Sequence, residues 1–315
     1  MMTEFGFIES LRELFSTLPD NGFEGIGDDC AVYPLECGDA LLFTSDTLNE
    51  NIHFLRSAAT PEEIGAKSLM VNLSDVAAMG AQPIATLLAI SLPADISEEW
   101  AKRFVDGYRR VSAQYGVPLI GGDTTSSSEG IVINVTAIGR THLSHVKRRS
   151  EAQAGDIIFV GGVLGGSAAG LRNILEGKSD TKAAHLHHNP QAQIAEGVWL
   201  GERPYVHAMM DLSDGLASDL RHILKASNVG AVVDIENIPT HEDATTEDAV
   251  CGGEDYKLLF TVDKESVEEF RTQFSERFGY TPYAVGSIIE SEQHEIEWRE
   301  KGELFYPDWR GFSHF

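Results

Sequence analysis

Apolar positions recur at helical spacing near the start of the chain. Ile8, Leu11, Leu14 and Phe15 share a face, which predicts an amphipathic helix over Phe7 to Leu18. The short apolar run Ala40-Leu41-Leu42-Phe43 predicts a strand within Asp39 to Thr47 that ends in polar residues. Pro61 stands where a helix opens, and Ile64, Leu69, Met70 and Val71 carry that helix towards Asp75 and Met79. Ile84 to Leu92 reads as a buried strand, and Ser97 caps a helix reaching about Tyr115. Alternation at Ile131, Ile133 and Val135 predicts a further strand over Gly130 to Gly139.

The stretch from Arg140 to Asp156 is polar and holds His145, Lys147, Arg148 and Arg149, so it reads as a junction. Beyond it, strands at Ile157 to Val160 and Leu258 to Val262 alternate with helices. Those helices are predicted from Ser167, near Gln191 to Leu200, after Asp214, and over Glu265 to Phe274. The pattern predicts two α/β or α+β domains, 1–145 and 146–315, the second richer in helix.

Composition narrows what such a protein binds. The 315 residues carry 24 Lys and Arg against 49 Asp and Glu, a formal net charge of −25, while 42% are apolar. That apolar share supports a core, so the acidity does not signal disorder. The charge argues against nucleic acid and anionic membranes, both of which recruit basic patches. A small polyanion requires a cationic layer between itself and the protein. Cys30, Cys37 and Cys251 are too few and too scattered for a disulfide framework and read as reduced thiols. Met1 to Ser10 does not read as a signal peptide, and Ile84 to Pro93 is far shorter than the ~20 residues of a membrane helix. The expectation is a cytoplasmic protein.

Five segments stand apart from the helices around them: Gly25-Ile26-Gly27-Asp28-Asp29, Thr44-Ser45-Asp46-Thr47, Asn72-Leu73-Ser74-Asp75, Gly121-Gly122-Asp123-Thr124-Thr125 and Asp211-Leu212-Ser213-Asp214-Gly215. Oxygen ligands without nearby His or Cys suit Mg²⁺ rather than zinc or copper. Each segment taken alone also reads as an Asx-turn or helix cap.

Gly161 to Ser167 follows a strand and opens a helix but lacks the Lys-Ser/Thr of a phosphate-binding P-loop, so tight packing is the better reading. The run Lys147-Arg148-Arg149 reads as a solvated loop or as a phosphate clamp at the junction. His185, His187 and His188 lie in polar surroundings and read as a surface loop. His53 reads as a turn or packing residue. Gly252-Gly253-Glu254-Asp255-Tyr256 suggests close backbone approach with carboxylates at its edge, or a plain turn.

Taken together, IGDD at 26–29, TSDTL at 44–48 with His53-Phe54, VNLSDVAAMG at 71–80, LIGGDTT at 119–125, DLSDGL at 211–216, GGEDY at 252–256 and the closing Gly311-Phe312-Ser313-His314-Phe315 resemble the thiamine-monophosphate kinase family. The resemblance runs from about Phe5 to Phe315, with the motifs in the family's order. It implies the two-domain fold of the aminoimidazole-ribonucleotide-synthetase-like superfamily. In that fold an N-terminal sheet domain forms a homodimer and an α/β domain packs behind it.

The resemblance also implies transfer from ATP to thiamine monophosphate, giving ADP and thiamine diphosphate, the last step of thiamine diphosphate biosynthesis. By motif, Asp29, Thr44, Ser45, Asp46, Asp75, Asp123, Asp211 and Asp214 would hold several Mg²⁺ ions, with Asp28 in support. Gly122, Asp123, Arg149 and Ser213 would contact ATP, and His53, Glu254 and Phe312 the thiamine substrate. The chain departs from the family pattern at Ser150-Glu151-Ala152 after Arg149, at Cys251, at Phe312, and in a shorter loop over Glu236 to Val250.

No segment supplies an evident activated nucleophile. The acceptor phosphate is already ionised, so positioning and charge neutralisation would lower the barrier with no catalytic side chain. Two other readings remain open on sequence: a synthetase of the same superfamily with a different acceptor, and an acidic cation-binding module that is not an enzyme.

Overall fold

The structure, a computed structural model, describes residues 3–312, with the backbone alone at Phe5. The N-terminal half contains α1 (Glu4–Phe15), β1 (Ala31–Pro34), β2 (Asp39–Asn49), α2 (Pro61–Ala78), β3 (Gln82–Leu92), α3 (Glu98–Tyr115), β4 (Leu119–Ser126) and β5 (Val132–His142). Its sheet has the order β1-β2-β5-β3-β4 and is antiparallel except where β3 and β4 run parallel. One face is apolar and buried: Ala40, Leu42 and Leu48 of β2 lie there with Ile133, Val135 and Ala137 of β5. The period of two along each strand puts Thr44 and Asp46 on this same face.

The helix that covers it is α2. Its start is set by a capping box between Thr60 and Glu63, followed by Pro61 in the first turn, where a missing N–H costs nothing. The helix is buried almost all round, including the polar residues Lys67, Ser68, Asn72 and Ser74. It crosses α3 at two glycines: a Cβ at Gly65 would meet the Phe104 carbonyl oxygen at 2.1 Å, and one at Gly107 the Glu62 carbonyl oxygen at 1.9 Å. Leu69 and Leu73 pack with Leu48 and Ile133, Val76 packs with Leu42, and Ala78 packs into the second half of the molecule.

That second half contains β6 (Ile157–Val160), α4 (Gly166–Leu175), α5 (Lys182–His188), α6 (Ile194–Gly201), β7 (Val206–Asp211), α7 (Leu216–Ser227), β8 (Gly230–Asp234), α8 (Thr246–Cys251), β9 (Leu258–Val262), α9 (Val267–Phe278), β10 (Tyr283–Ile289), β11 (Ile296–Glu300) and β12 (Glu303–Phe305). The sheet order is β12-β11-β8-β10-β6-β9-β7. Helices cover both faces. Ile158 and Val160 of β6 face Leu216, Leu220 and Ile223 of α7, whereas Phe159 between them faces Phe270 and Phe274 of α9 and Trp199 of α6. Burying each such side chain stabilises the fold by roughly 1.5–3 kcal/mol.

Several expectations change here. Ile84 to Leu92 is half-exposed, not buried: Ile84 and Leu87 stand on the open face of the first sheet. Leu119 to Ser126, read above only as a motif, is an edge strand exposed along its length. The histidine tract is no surface loop. It forms α5 and turns His187 and His188 inward, each 5% exposed, because Thr181 caps a helix whose Ala183 and Ala184 also bury.

The basic run is not a solvated loop either. Lys147 is buried and donates to the carbonyls of Arg203 and Val206 at 2.9 and 2.7 Å, pinning the junction to the second half. Arg148 grips Glu24 through two hydrogen bonds of 2.7 and 3.0 Å. Burial pushes the Lys147 ammonium down to about 8.

Candidate active site

Three chain segments deliver carboxylates to one point between the halves. The turn before β1 brings Asp29, α2 brings Asp75, and the end of β7 brings Asp211. Each offers an oxygen within 4.8 Å of the others. Helical spacing and strand register set the surrounding hydrogen bonds. The Thr44 hydroxyl donates to Asp75 at 2.5 Å, the Ser74 hydroxyl donates to Asp211, and the Asp46 N–H donates to the Asn72 side chain at 3.0 Å. Asp29 Oδ2 is buried with no hydrogen-bond partner among the described residues.

The electrostatic result is a set of crowded carboxyls whose ionisation is held back. Burial raises the Asp46 carboxyl to about 6, with Asp29 adding repulsion. Burial and Asp29 lift Asp211 to about 8 against the Ser74 hydrogen bond. Asp75 rises well above the carboxylate range through burial, then through Asp46, Asp211 and Asp29. Hard oxygen donors, an orphaned buried oxygen and mutual repulsion fit a divalent cation such as Mg²⁺.

The fixed cation nearby is Arg149. Its guanidinium donates to Asp29 at 2.5 Å, while its backbone N–H donates to Asp28 Oδ1 at 2.8 Å. Asp28 therefore orients Arg149 from behind. Burial disfavours the guanidinium charge, but Asp29 and Asp28 more than offset it and hold the group protonated. Arg149 Nε is buried without a partner among the described residues, an unused donor beside the acidic cluster.

A cavity of about 810 Å³ opens alongside. It joins the predicted metal ligands Asp46, Asp75 and Asp214, the predicted nucleotide contact Ser213, and the predicted substrate contacts His53, Glu254 and Phe312. His53 sits in the turn after β2, where its Nδ1 accepts from the Asn49 N–H at 2.9 Å. Glu254 occupies a left-handed backbone conformation, φ 65°, with its N–H on the Ser213 carbonyl at 2.8 Å. Gly253 permits that approach, since a Cβ there would lie 2.4 Å from the same oxygen. The C-terminal tail brings Phe312 to the cavity through its N–H on the Asp214 carbonyl at 3.0 Å. Ser313, His314 and Phe315 lie outside the described residues.

Other predicted residues stand elsewhere. Ser45 faces the open side of the first sheet, hydrogen-bonded towards Asn134 and Thr136. Asp123 is in the row Thr47, Asn134, Ala89, also on that side, and is exposed. Two strands separate β2 from β4, so Ser45 and Asp123 are about 14 Å apart or more. Within one copy they cannot share an ion. Gly122, on the covered side, has φ 154°, and a Cβ there would meet the Leu88 carbonyl oxygen at 1.8 Å, which makes it a packing glycine of β4.

The glycine-rich stretch before α4 packs tightly, and its helix N-terminus is already filled. The Asp255 carboxylate accepts from the N–H groups of Gly165 and Ser167 at 2.5 and 3.2 Å. The sequence reading missed Lys67, placed His187 on a surface loop, and singled out Asn72 and Ser74 only as neighbours of Asp75; all four support the site from behind. A lone lysine inside an apolar helix was the available signal for Lys67.

Residues 27–141 match the family described as AIR synthase related protein, N-terminal domain, and residues 153–299 match its C-terminal domain. Fold and site thus define an AIR-synthase-related α/β protein of two sheets. The Escherichia coli K12 thiamine-monophosphate kinase is 36% identical over 92% of this chain and 91% of its own length. The Bacillus subtilis 168 thiamine-monophosphate kinase is 32% identical over the whole of both. The solved structure of AaThiL complexed with AMPPCP and TMP superposes with a TM-score of 0.85 at 32% identity, covering 100% of this chain and 97% of that one. The chain belongs to the thiamine-monophosphate kinase family.

Proposed function

We propose that this chain transfers the γ-phosphoryl group of ATP directly to thiamine monophosphate, giving ADP and thiamine diphosphate. One observation carries the reading: a single cavity joins a buried carboxylate cluster to Glu254 and Phe312, which suit a cationic heteroaromatic substrate. The relatives named above are thiamine-monophosphate kinases, and AaThiL is complexed with AMPPCP and TMP.

Two anions must approach within bonding distance, and the acceptor oxygen is ionised at neutral pH. No base is needed, so the protein's task is to position and to neutralise. Asp29, Asp46, Asp75 and Asp211 would hold magnesium with Thr44 and Asp214, while Ser45 and Asp123, on the open side of the sheet, would join the proposed ligand set only between two copies. Magnesium, when bound, neutralises phosphate oxygens and stabilises charge on the transferring group.

Arg149 adds a fixed guanidinium whose Nε has a donor to spare. Ser213, with Gly122 and Asp123, is assigned to the nucleotide. Phe312 supplies an aromatic face for the thiazolium, a contact worth about 0.5–2 kcal/mol. His53 and Glu254 take the rest of the thiamine moiety.

Residues 1–145 would form the nucleotide, magnesium and dimerisation domain, and 146–315 the α/β domain. The dimer reading is supported by Leu87, Leu119 and Ile120, exposed on the first sheet and its unpaired edge. We place the protein in the cytoplasm; among the described residues no helix is long and apolar enough to cross a membrane.

The test is direct. Incubation with Mg-ATP and thiamine monophosphate should yield thiamine diphosphate, and intact ATP with no product would overturn the reading. Radiolabel retained on the protein after ATP alone would overturn direct transfer.

A further inference from the structure

Glu254, on the cavity wall, has two oxygens in opposite circumstances. Oε2 is engaged: the Lys67 ammonium lies 3.0 Å away and His187 Nδ1 lies 3.3 Å away. Oε1 is buried and, among the described residues, has no hydrogen-bond partner. A buried acceptor left unsatisfied is costly, so a site built this way awaits a donor from whatever fills the cavity.

Lys67 does not line the cavity itself. Its side chain is 3% exposed, on the face of α2 behind Glu254. The same ammonium also donates to the backbone carbonyl of His53 at 3.1 Å. One buried cation therefore ties together two segments far apart in the chain, the turn after β2 and the Gly252–Tyr256 segment. These carry two of the proposed substrate contacts.

His187 closes the arrangement from α5. Its Nδ1 is also 2.9 Å from the Ser167 hydroxyl. Burial, helped by Lys67 and His188, keeps this imidazole neutral, so Lys67 is the charge that answers Glu254.

We infer that Lys67 is a positioning residue for thiamine monophosphate. By engaging Oε2 and the His53 carbonyl it presents Glu254 Oε1 as a single oriented acceptor for the amine or the cationic ring of the substrate. This rests on the functional reading above. It separates Lys67 from the phosphoryl-transfer machinery: its loss should weaken recognition of thiamine monophosphate and leave ATP recognition intact.

A double-mutant cycle over Lys67→Met and Glu254→Gln tests this, read as KM for each substrate and as equilibrium affinity for thiamine monophosphate. Lys67→Met should raise KM for thiamine monophosphate, and weaken its affinity, at least about tenfold, with KM for ATP and kcat changed less than about threefold. In the Glu254→Gln background the same change should have less than about a twofold effect. Equal effects in both backgrounds, or a parallel rise in KM for ATP, would show a merely structural lysine and overturn the proposal.

Glu254→Gln with unchanged affinity would remove the Glu254 contact and this proposal with it. Affinity is read without turnover, so binding without product would sink the functional reading and still score the cycle. Thermal unfolding checks that Lys67→Met folds; if it does not, Lys67→Gln, which keeps a donor and drops the charge, carries the same cycle.

Discussion

Asp75 accepts a hydrogen bond from Thr44 while lying among Asp29, Asp46 and Asp211, and its ionisation is suppressed by burial and by all three. A carboxyl whose folded-state pKa is raised binds its proton more tightly in the folded chain than in the unfolded one. Its contribution is therefore lost as pH rises from the ordinary carboxylate value through the folded one. For Asp46 and Asp211 that window runs from 3.8 to about 6 and about 8.

The metal-free protein should thus lose thermal stability between about pH 4 and pH 8. Asp75→Asn should raise its unfolding midpoint at the upper end by about 2–4 °C. The same variant should cut turnover on the order of a hundredfold or more. A lower midpoint at pH 8 in chelator would refute the electrostatic account. At this scale the acidic motifs were legible from residue type and from Ser and Thr neighbours. Lys67 and His187 were not, because only packing reveals that a lysine in an apolar helix faces a carboxylate.

The element that organises the site is α2, which carries Asp75 into the cluster, Lys67 behind the cavity and Asn72 onto the Asp46 backbone. Its position depends on bare backbone at Gly65 and Gly107 where it crosses α3. Gly107→Ala should therefore destabilise the protein by about 1–3 kcal/mol, as overpacked contacts do. It should also lower activity in the folded fraction, since α2 must shift. Denaturant unfolding and specific activity check both; unchanged stability would mean that α3 yields freely. The start of α2 was legible from Pro61. β4 was not legible as a strand, because Gly121 and Gly122 erase the apolar alternation that strands normally show.

For the whole molecule, the register of the first sheet is decisive. It places Ser45 and Asp123 on the open face, three strand spacings apart, while Asp46 faces the cluster. If both residues serve the proposed metal site, a second copy must approach that face. Asp46→Asn and Asp123→Asn should each be inactive alone. Co-expressed as mixed dimers, they should regain up to about a quarter of wild-type activity, from the one intact site in each heterodimer. A monomer on sedimentation, or no recovery in purified mixed dimers, would rule out sharing across the interface.

Residue types and local spacing by themselves determined the oxygen-rich chemistry, the family resemblance and most helix starts, because caps, prolines and motifs act over a few neighbouring residues. Only the tertiary structure decided which of those residues meet. It drew Asp29, Asp75 and Asp211 to one point from segments far apart in the chain, set Lys67 and His187 behind Glu254, and left Asp123 on the far side of its sheet. The reason is physical: convergence depends on strand register and helix packing between distant segments, and local sequence carries neither.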